Sequence, residues 1–403
     1  MATSVVNALL GYGYWTLAAR VMPTAQVGLG SAATSALVII SLVVHLGAGS
    51  GLIARLPGRR TPYEWRLTVT STLLATTLFT VVVAAAALAP LGAAVTPLRV
   101  LTSHWDTAAW FVVGAGSWTG SGVLDYVFIA ERRSDLMLVR NACAAVAKLA
   151  VLGLLATAER PVGASVILAS WAAAGLVGTL AGLALCHRSL HRFGRVPLSV
   201  MSRELGSLLR PTLGHHAISV CGLLPTYLLP VAVTARLGAT ANAYFYTTWM
   251  IGSAIFMISP AVSSALFAEG SHEGSRLRQL AWRSSLATMA VLVLPAAVLC
   301  LIGRNVLALF GPGYTVGYAL LVALVLSAFP DMVSNATVAT LRVRGLLGRA
   351  AALNLLIAAV ALAGAWLATP RYGILGAGLA WLGAQSVGAL AVLVLRRRLL
   401  PSA

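Results

Sequence analysis

Apolar residues run in stretches of 18 or more along the whole chain, and polar residues gather in short clusters between them. A helix rising about 1.5 Å per residue crosses a hydrocarbon core of about 30 Å in roughly 20 residues, so each stretch predicts a membrane-spanning helix. The twelve stretches lie near 4–21, 33–54, 67–91, 108–130, 137–158, 162–186, 212–235, 243–267, 283–303, 315–340, 350–369 and 373–395. Short connections make most neighbours antiparallel hairpins. The longest connection, 187–211, falls midway and is rich in Arg. It is expected to be a cytoplasmic hinge loop between an N-terminal six-helix lobe, 1–186, and a C-terminal one, 212–403. The fold class that follows is an all-α integral membrane protein of about 12 transmembrane helices in two lobes. The first stretch has no basic flank ahead of it and leads straight into the second, so it is read as a short span and not as a leader.

The placement of Arg orients the chain, because loops retained in the cytoplasm keep Lys and Arg. One set of connections holds 21 basic residues: Arg55, Arg59, Arg60 and Arg66; Arg132, Arg133 and Arg140; Arg188, Arg192, Arg195, Arg203 and Arg210; Arg276, Arg278 and Arg283; Arg342, Arg344 and Arg349; and Arg396, Arg397 and Arg398. The alternate set holds six, one each: Arg20, Arg99, Arg160, Arg236, Arg304 and Arg371. A missed helix would invert every later loop, so the alternation supports span count and orientation together. Both termini are then cytoplasmic, and the use of Arg at 27 of the 28 basic positions, Lys148 being the exception, points by codon usage to a bacterial source and so to a bacterial inner membrane.

Faint internal repetition points to two related halves. Ala19-Arg20 with Gly28 following recurs as Ala235-Arg236 with Tyr244, and Asp125 before Arg132 recurs as Asn335 before Arg342, at offsets of 216 and 210 residues. Repeats of the same topological sense imply a pseudo-twofold axis along the membrane normal and a cavity between the halves.

Composition agrees with the pattern. Of the 403 residues 59% are hydrophobic and 9% charged, far from the roughly one quarter charged of a soluble domain. The net charge of +18 sits in loop clusters and not on one face, which argues for anionic membrane lipids as its partner and against nucleic acid. Cys143, Cys186, Cys221 and Cys300 show neither CxxC nor Cys/His spacing, so neither a metal nor a disulfide framework is expected. No nucleotide loop, HExxH or GxSxG occurs, and His272-Glu273 lacks a second histidine. Asp106 and Glu159 are the acids of the outward connections, which disfavours a membrane transferase, so no catalytic residue and no cofactor is assigned.

Ionisable residues at membrane depth are costly and mark function by default. They are Asp125, Lys148, Asp331 and His45. Lys148 and Asp331 fall roughly 16 Å deep and Asp125 roughly 10 Å, so that Lys148 reaches either acid. A neutralising Asp125–Lys148 salt bridge and a direct substrate role both fit that placement. Asp331 and Asn335, four apart, share one helix face and are expected to line a cavity. His215 and His216 are expected near the membrane surface, and Gly47/Gly51, Gly116/Gly120 and Gly178/Gly182 fit close helix approach.

Two groups of phrases resemble a known family. The first is Trp15-Thr16-Leu17-Ala18-Ala19-Arg20 through Gln26-Val27-Gly28 to Leu52-Ile53-Ala54-Arg55-Leu56-Pro57. The second is Ala265-Leu266-Phe267-Ala268-Glu269-Gly270-Ser271, then Leu309-Phe310-Gly311-Pro312-Gly313-Tyr314, then Leu341-Arg342-Val343-Arg344-Gly345. They resemble the polysaccharide-biosynthesis, O-antigen-type flippases of the multidrug/oligosaccharidyl-lipid/polysaccharide exporter superfamily. The resemblance implies two lobes alternating access around a cationic cavity, with a polyprenyl-pyrophosphate-linked oligosaccharide as substrate. Glycosyltransferases or a polymerase of the same pathway would be its partners. Arg20 and Arg55 match the family's motif positions, although the topology puts them at opposite ends of the first two spans. The substrate-binding candidates are therefore Arg20, Arg55, His45, Asp125, Lys148, Asp331 and Asn335. A drug/cation antiporter of the same superfamily, a membrane polymerase and a scaffold for polymer assembly are the alternatives.

The Arg distribution predicts that reporter fusions after Arg60, Arg195, Arg278 and Arg398 report cytoplasm, and that those after Arg99, Arg236 and Arg304 report the outside. A single inner fusion reading external breaks the scheme.

Overall fold

A computed structural model describes residues 2–45, 47–156, 163–191, 196–259 and 277–399. The chain is helical throughout these residues and divides into two compact units, Met1–His216 and Ala217–Ala403. Hydrocarbon offers backbone amides no partner, so a chain this apolar satisfies them within helices. Among the described residues nine helical stretches are long and apolar enough to cross a membrane.

The first unit begins with α1 (Ala2–Val21), α2 (Thr24–Val44) and the short α3 (Ala48–Arg55). It continues with α4 (Pro62–Ala94), the single turn α5 (Val100–Ser103), α6 (Trp105–Ala130), α7 (Ser134–Ala156), α8 (Ala164–Ser189) and α9 (Leu198–Leu209). The helix α10 (Leu213–Leu237) starts there and runs into the second unit. The second unit adds α11 (Ala239–Phe256), α12 (Leu277–Ala308), α13 (Tyr318–Val343), α14 (Leu347–Tyr372) and α15 (Ile374–Leu399). Where the residues are described, each of the twelve apolar stretches falls on helix, and 260–267 of the eighth lies outside the described residues.

Two expectations change. The second span begins nine residues sooner than 33, at Thr24 behind Pro23, and it is broken near its end. Gly47 adopts φ +82°, a left-handed conformation that ends α2 and lets α3 set off in a new direction. A side chain there would strike Thr212, and one on Gly51 would stand 2.7 Å from Leu208, so the backbone of α3 lies close against α9 and the turn that follows it. The second change is the connection 187–211, which contains α9 rather than a loop alone. α9 is docked on the first unit: Glu204 pairs with Arg59 and accepts from Thr68 Oγ1 at 2.6 Å, while Arg55 Nη1 donates to Ser207 at 2.6 Å.

Small residues set the helix spacing in the first unit. Gly175, Gly178 and Gly182 form one stripe on α8, facing Ser117, Ser121 and Leu124 of α6. A Cβ on Gly178 would lie 2.7 Å from Ser121 Oγ, and one on Gly182 2.7 Å from Leu124 Cδ1. Gly116 and Gly120 face Val81 and Thr77 of α4, so the small-residue pairs mark close approach as their spacing implied. α4 starts with a capping box, Thr61 and Glu64, and carries a ladder of Thr68, Thr72, Thr76 and Thr80, each hydroxyl donating to the carbonyl four residues back. In the second unit Ile218, Leu229, Phe245, Trp249, Leu320, Leu324, Leu353 and Trp381 belong to one buried core spanning α10, α11, α13, α14 and α15. Asn354 Nδ2 ties α14 to the Ile218 carbonyl of α10 at 2.9 Å.

The phrase 265–271, His272-Glu273, Glu159, Arg160, Arg192, Arg195 and Arg276 lie outside the described residues, as do the side chains of Arg278, Arg283 and Arg396, Arg397 and Arg398.

Replacing Gly175 by Leu forces the α6–α8 crossing apart and is expected to cost about 1–3 kcal/mol, read as a lower unfolding temperature in detergent. Gly153 of α7 has open space around it, so Gly153→Leu is expected to leave that temperature nearly unchanged. Equal losses in both would show that the crossing is not the constraint.

Candidate functional site

The least exposed charged group of the first unit is one that the loop count had assigned to orientation. Arg140 lies on α7, is 2% exposed, and grips Asp125 of α6 with Nε at 3.1 Å from Oδ1 and Nη2 at 2.5 Å from Oδ2. Its Nη1 donates to Ser121, its Nη2 also donates to Asn141 Oδ1 at 2.6 Å, and Asn141 Nδ2 reaches Asp125 at 3.3 Å. The Arg140 side chain runs over the bare backbone of α8, where a Cβ on Gly178 would stand 3.1 Å from its Nη1 and one on Gly182 3.1 Å from its Cδ. Hairpin register explains the pairing. Asp125 is five residues before the end of α6 and Arg140 six after the start of α7, both roughly 8–9 Å from the turn. Lys148, fourteen residues along α7, stands roughly 21 Å from it. The Asp125–Lys148 bridge is thus replaced by Asp125–Arg140.

Lys148 has another environment. Its ammonium lies 4.6 Å from the centre of the Tyr14 ring and 5.0 Å from that of Trp171, and no carboxylate of the described residues is within ion-pair distance. Trp171 packs between Trp118 and Trp15 at 4.9 and 6.5 Å, and Tyr14 Oη bonds Ser170 Oγ at 2.5 Å, which holds the rings in place. Ring quadrupoles attract a desolvated cation by about 2 kcal/mol without cancelling its charge. α7 thus carries two cations on one face, at i and i+8, the first neutralised and the second not.

The other candidates of this unit are dispersed. His45 caps α2 at the break, with its ring 5.9 Å from Tyr126 and its Nε2 buried without a hydrogen-bond partner. His216 Nε2 lies 3.1 Å from the Val43 carbonyl. Arg20 ends α1 and Arg55 ends α3, so α2 and α3 separate them, and Arg55 is engaged by α9. The structure does not bring these two motif residues together.

Asp331 and Asn335 share a face of α13 as their spacing implied, Asn335 Nδ2 donating to Asp331 Oδ2 at 2.7 Å. They line a cavity of about 210 Å³ within the second unit, with Thr226 of α10, Trp249 of α11, Asn354 of α14 and Trp381 and Gln385 of α15 among its walls. Asp331 sits roughly 18–20 Å from either end of α13, at the depth of a bilayer midplane. Among the described residues no cluster of His, Cys, Asp and Glu is arranged to hold a metal ion.

Sequence reasoning missed Arg140 and the aromatic residues. The mirror positions of Asp125 and Arg140 about a short hairpin were a usable signal. The approach of Tyr14 and Trp171 to Lys148 had none, since it joins α1, α7 and α8.

No protein-family model matches the chain, and no curated protein does so either. Solved structures share its fold. An inward-facing multidrug resistance MATE family transporter of the MOP superfamily aligns with a TM-score of 0.72 at 14% identity, over 98% of this chain and 94% of that one. The lipid II flippase MurJ in an inward closed conformation aligns with a TM-score of 0.74 at 12% identity, over 98% and 87%. An outward-facing MATE family transporter of the MOP superfamily aligns with a TM-score of 0.66 at 15% identity, over 98% and 93%. The chain therefore has the multi-pass helical fold of these membrane proteins, which are transporters and a flippase and not enzymes.

Arg140→Met strands the Asp125 carboxylate and is expected to destabilise the protein by roughly 3–5 kcal/mol, with partial recovery in the Arg140→Met/Asp125→Asn double variant. Thermal unfolding in detergent measures both. Recovery of a Lys148→Met defect by Asp125→Asn would instead return Lys148 to the pair.

Proposed function

We propose that this protein flips a polyprenyl-pyrophosphate-linked oligosaccharide from the cytoplasmic to the outer leaflet of a bacterial inner membrane, by alternating access and without covalent change, during surface polysaccharide biosynthesis. The observation that carries the reading is Lys148. Asp125 is consumed by Arg140, which leaves Lys148 held by ring faces at membrane depth with no carboxylate of the described residues to neutralise it. A fixed positive charge suits a pyrophosphate and repels a cationic drug. The fold is common to carriers caught inward- and outward-facing and to a lipid II flippase, which supports alternating access and a lipid-linked substrate. Cytoplasmic termini and anionic-lipid contact by the Arg clusters complete the picture, with glycosyltransferases or a polymerase as pathway partners.

Deleting the gene is expected to abolish a surface polysaccharide while its complete lipid-linked precursor accumulates in the inner leaflet, out of reach of a membrane-impermeant lectin in intact spheroplasts. Complementation by Lys148→Arg should restore transport in large part, and by Lys148→Met should fail with normal protein abundance. A precursor equally accessible in the deletion strain, with no second flippase present, overturns the reading. Restored export of a cationic dye that depends on Asp331 would favour the antiporter.

A further inference from the structure

The cavity of the second unit is larger and more mixed in its chemistry than a packing defect or an ion site. Four of its wall residues present buried polar atoms with no hydrogen-bond partner among the described residues: Ser334 Oγ, Gln385 Oε1, and the indole Nε1 of Trp249 and of Trp381. Each of these side chains is at least nine-tenths buried, and all four residues line one cavity together with Asp331, whose carboxylate is bonded by Asn335 alone among the described side chains. Buried polar atoms at a hydrocarbon midplane are costly when unpaired, so this set is built for an occupant. The wall also loses backbone bonds. Pro225 and Pro230 carry no amide hydrogen, which withdraws the helical donors to the carbonyls of Cys221 and Thr226, both cavity residues.

The identity of the orphans narrows the occupant. An indole N–H only donates, so it opposes a bare cation that Asp331 and Gln385 would otherwise attract. A carboxylate and an amide oxygen accept, so they oppose a second anion. A hydroxyl does both. An occupant that must accept from two indoles, donate to a carboxylate and an amide oxygen, and exchange with Ser334 is one with several hydroxyl groups around a compact body. About 210 Å³ is also far more than the roughly 10–15 Å³ that one water needs. The apolar part of the wall, Phe256, Ile357 and the rings of Trp249 and Trp381, gives the C–H face of such a molecule its contact.

From this we infer that the midplane cavity of the second unit binds one pyranose ring, the saccharide portion of the cargo, separately from the cation at Lys148. The assignment rests on the flippase reading for the source of the sugar, while the binding itself does not.

Full-length protein in lipid nanodiscs, titrated with glucose, galactose, rhamnose, N-acetylglucosamine and glucuronate while tryptophan fluorescence is followed, tests it. At least one pyranose is expected to give a saturable change that persists when sodium is exchanged for choline. Asp331→Asn is expected to weaken it about tenfold or more, and Ser334→Ala by a few fold, with unfolding temperatures held near wild type. Gln385→Leu serves where one of these fails to fold. No response to any of the five sugars, or a response unaltered by every folded variant, overturns the proposal. A saturable response to sodium over choline with none to sugar overturns it in favour of an ion site. Absent sugar binding with precursor still trapped inside removes the pyranose site and leaves the flippase. Sugar binding with precursor freely exposed in the deletion strain removes the flippase and keeps the site.

Discussion

The burial of the Arg140 guanidinium organises the first unit. A charge with that little exposure inside an apolar helical bundle is tolerable only if paired and fully hydrogen-bonded. Asp125, Ser121 and Asn141 supply the partners, and Gly178 and Gly182 supply the room, because any side chain on that face of α8 would occupy the path of the guanidinium. Three helices are thereby held at one spacing by one side chain. The glycine stripe, the α6–α7 hairpin register and the free state of Lys148 all follow from it.

That pairing also sorts the intramembrane charges into tasks. A neutral Asp125–Arg140 pair is structural, and the amine two further turns along α7 lies against tyrosine and tryptophan faces with no carboxylate of the described residues to pair it. In the second unit Asp331 has an amide partner and, among the described residues, no paired cation, in a cavity whose other groups donate as well as accept. For the flippase proposed above, cargo has to be held loosely enough to be released. Incompletely satisfied polar groups on either side are consistent with that need, whereas saturated pairs are not.

The connection 187–211, which lies within the first unit, shows the limit of composition as a guide. An Arg-rich, loop-like stretch reads as a hinge, yet Glu204 and Ser207 carry α9 onto Arg59, Thr68 and Arg55. Arg55, singled out for substrate on its motif position, is thereby engaged at the end of α3 with a serine of α9. The motif position and the structural contact are two uses of one residue, and the contact is the one the geometry displays.

Much of this protein was legible in its sequence, and the reason is the solvent. Hydrocarbon imposes span length, internal hydrogen bonding and loop charge locally, so runs of apolar residues and alternating Arg clusters suffice to place twelve helices without any knowledge of their contacts. The Asp331–Asn335 face was legible for the same reason, since four residues on one helix are neighbours whatever surrounds them. The break at Gly47 was less so, because a glycine within an apolar run can pack or bend and only its φ distinguishes the two. Choice of partner was decided by tertiary structure alone. Whether Lys148 meets Asp125, Asp331 or two aromatic rings depends on which helices α7 packs against and at what height, a three-body question that spacing along one chain does not contain. The cavity of the second unit is the extreme case, assembled by α10, α11, α13, α14 and α15 from residues that individually read as ordinary core.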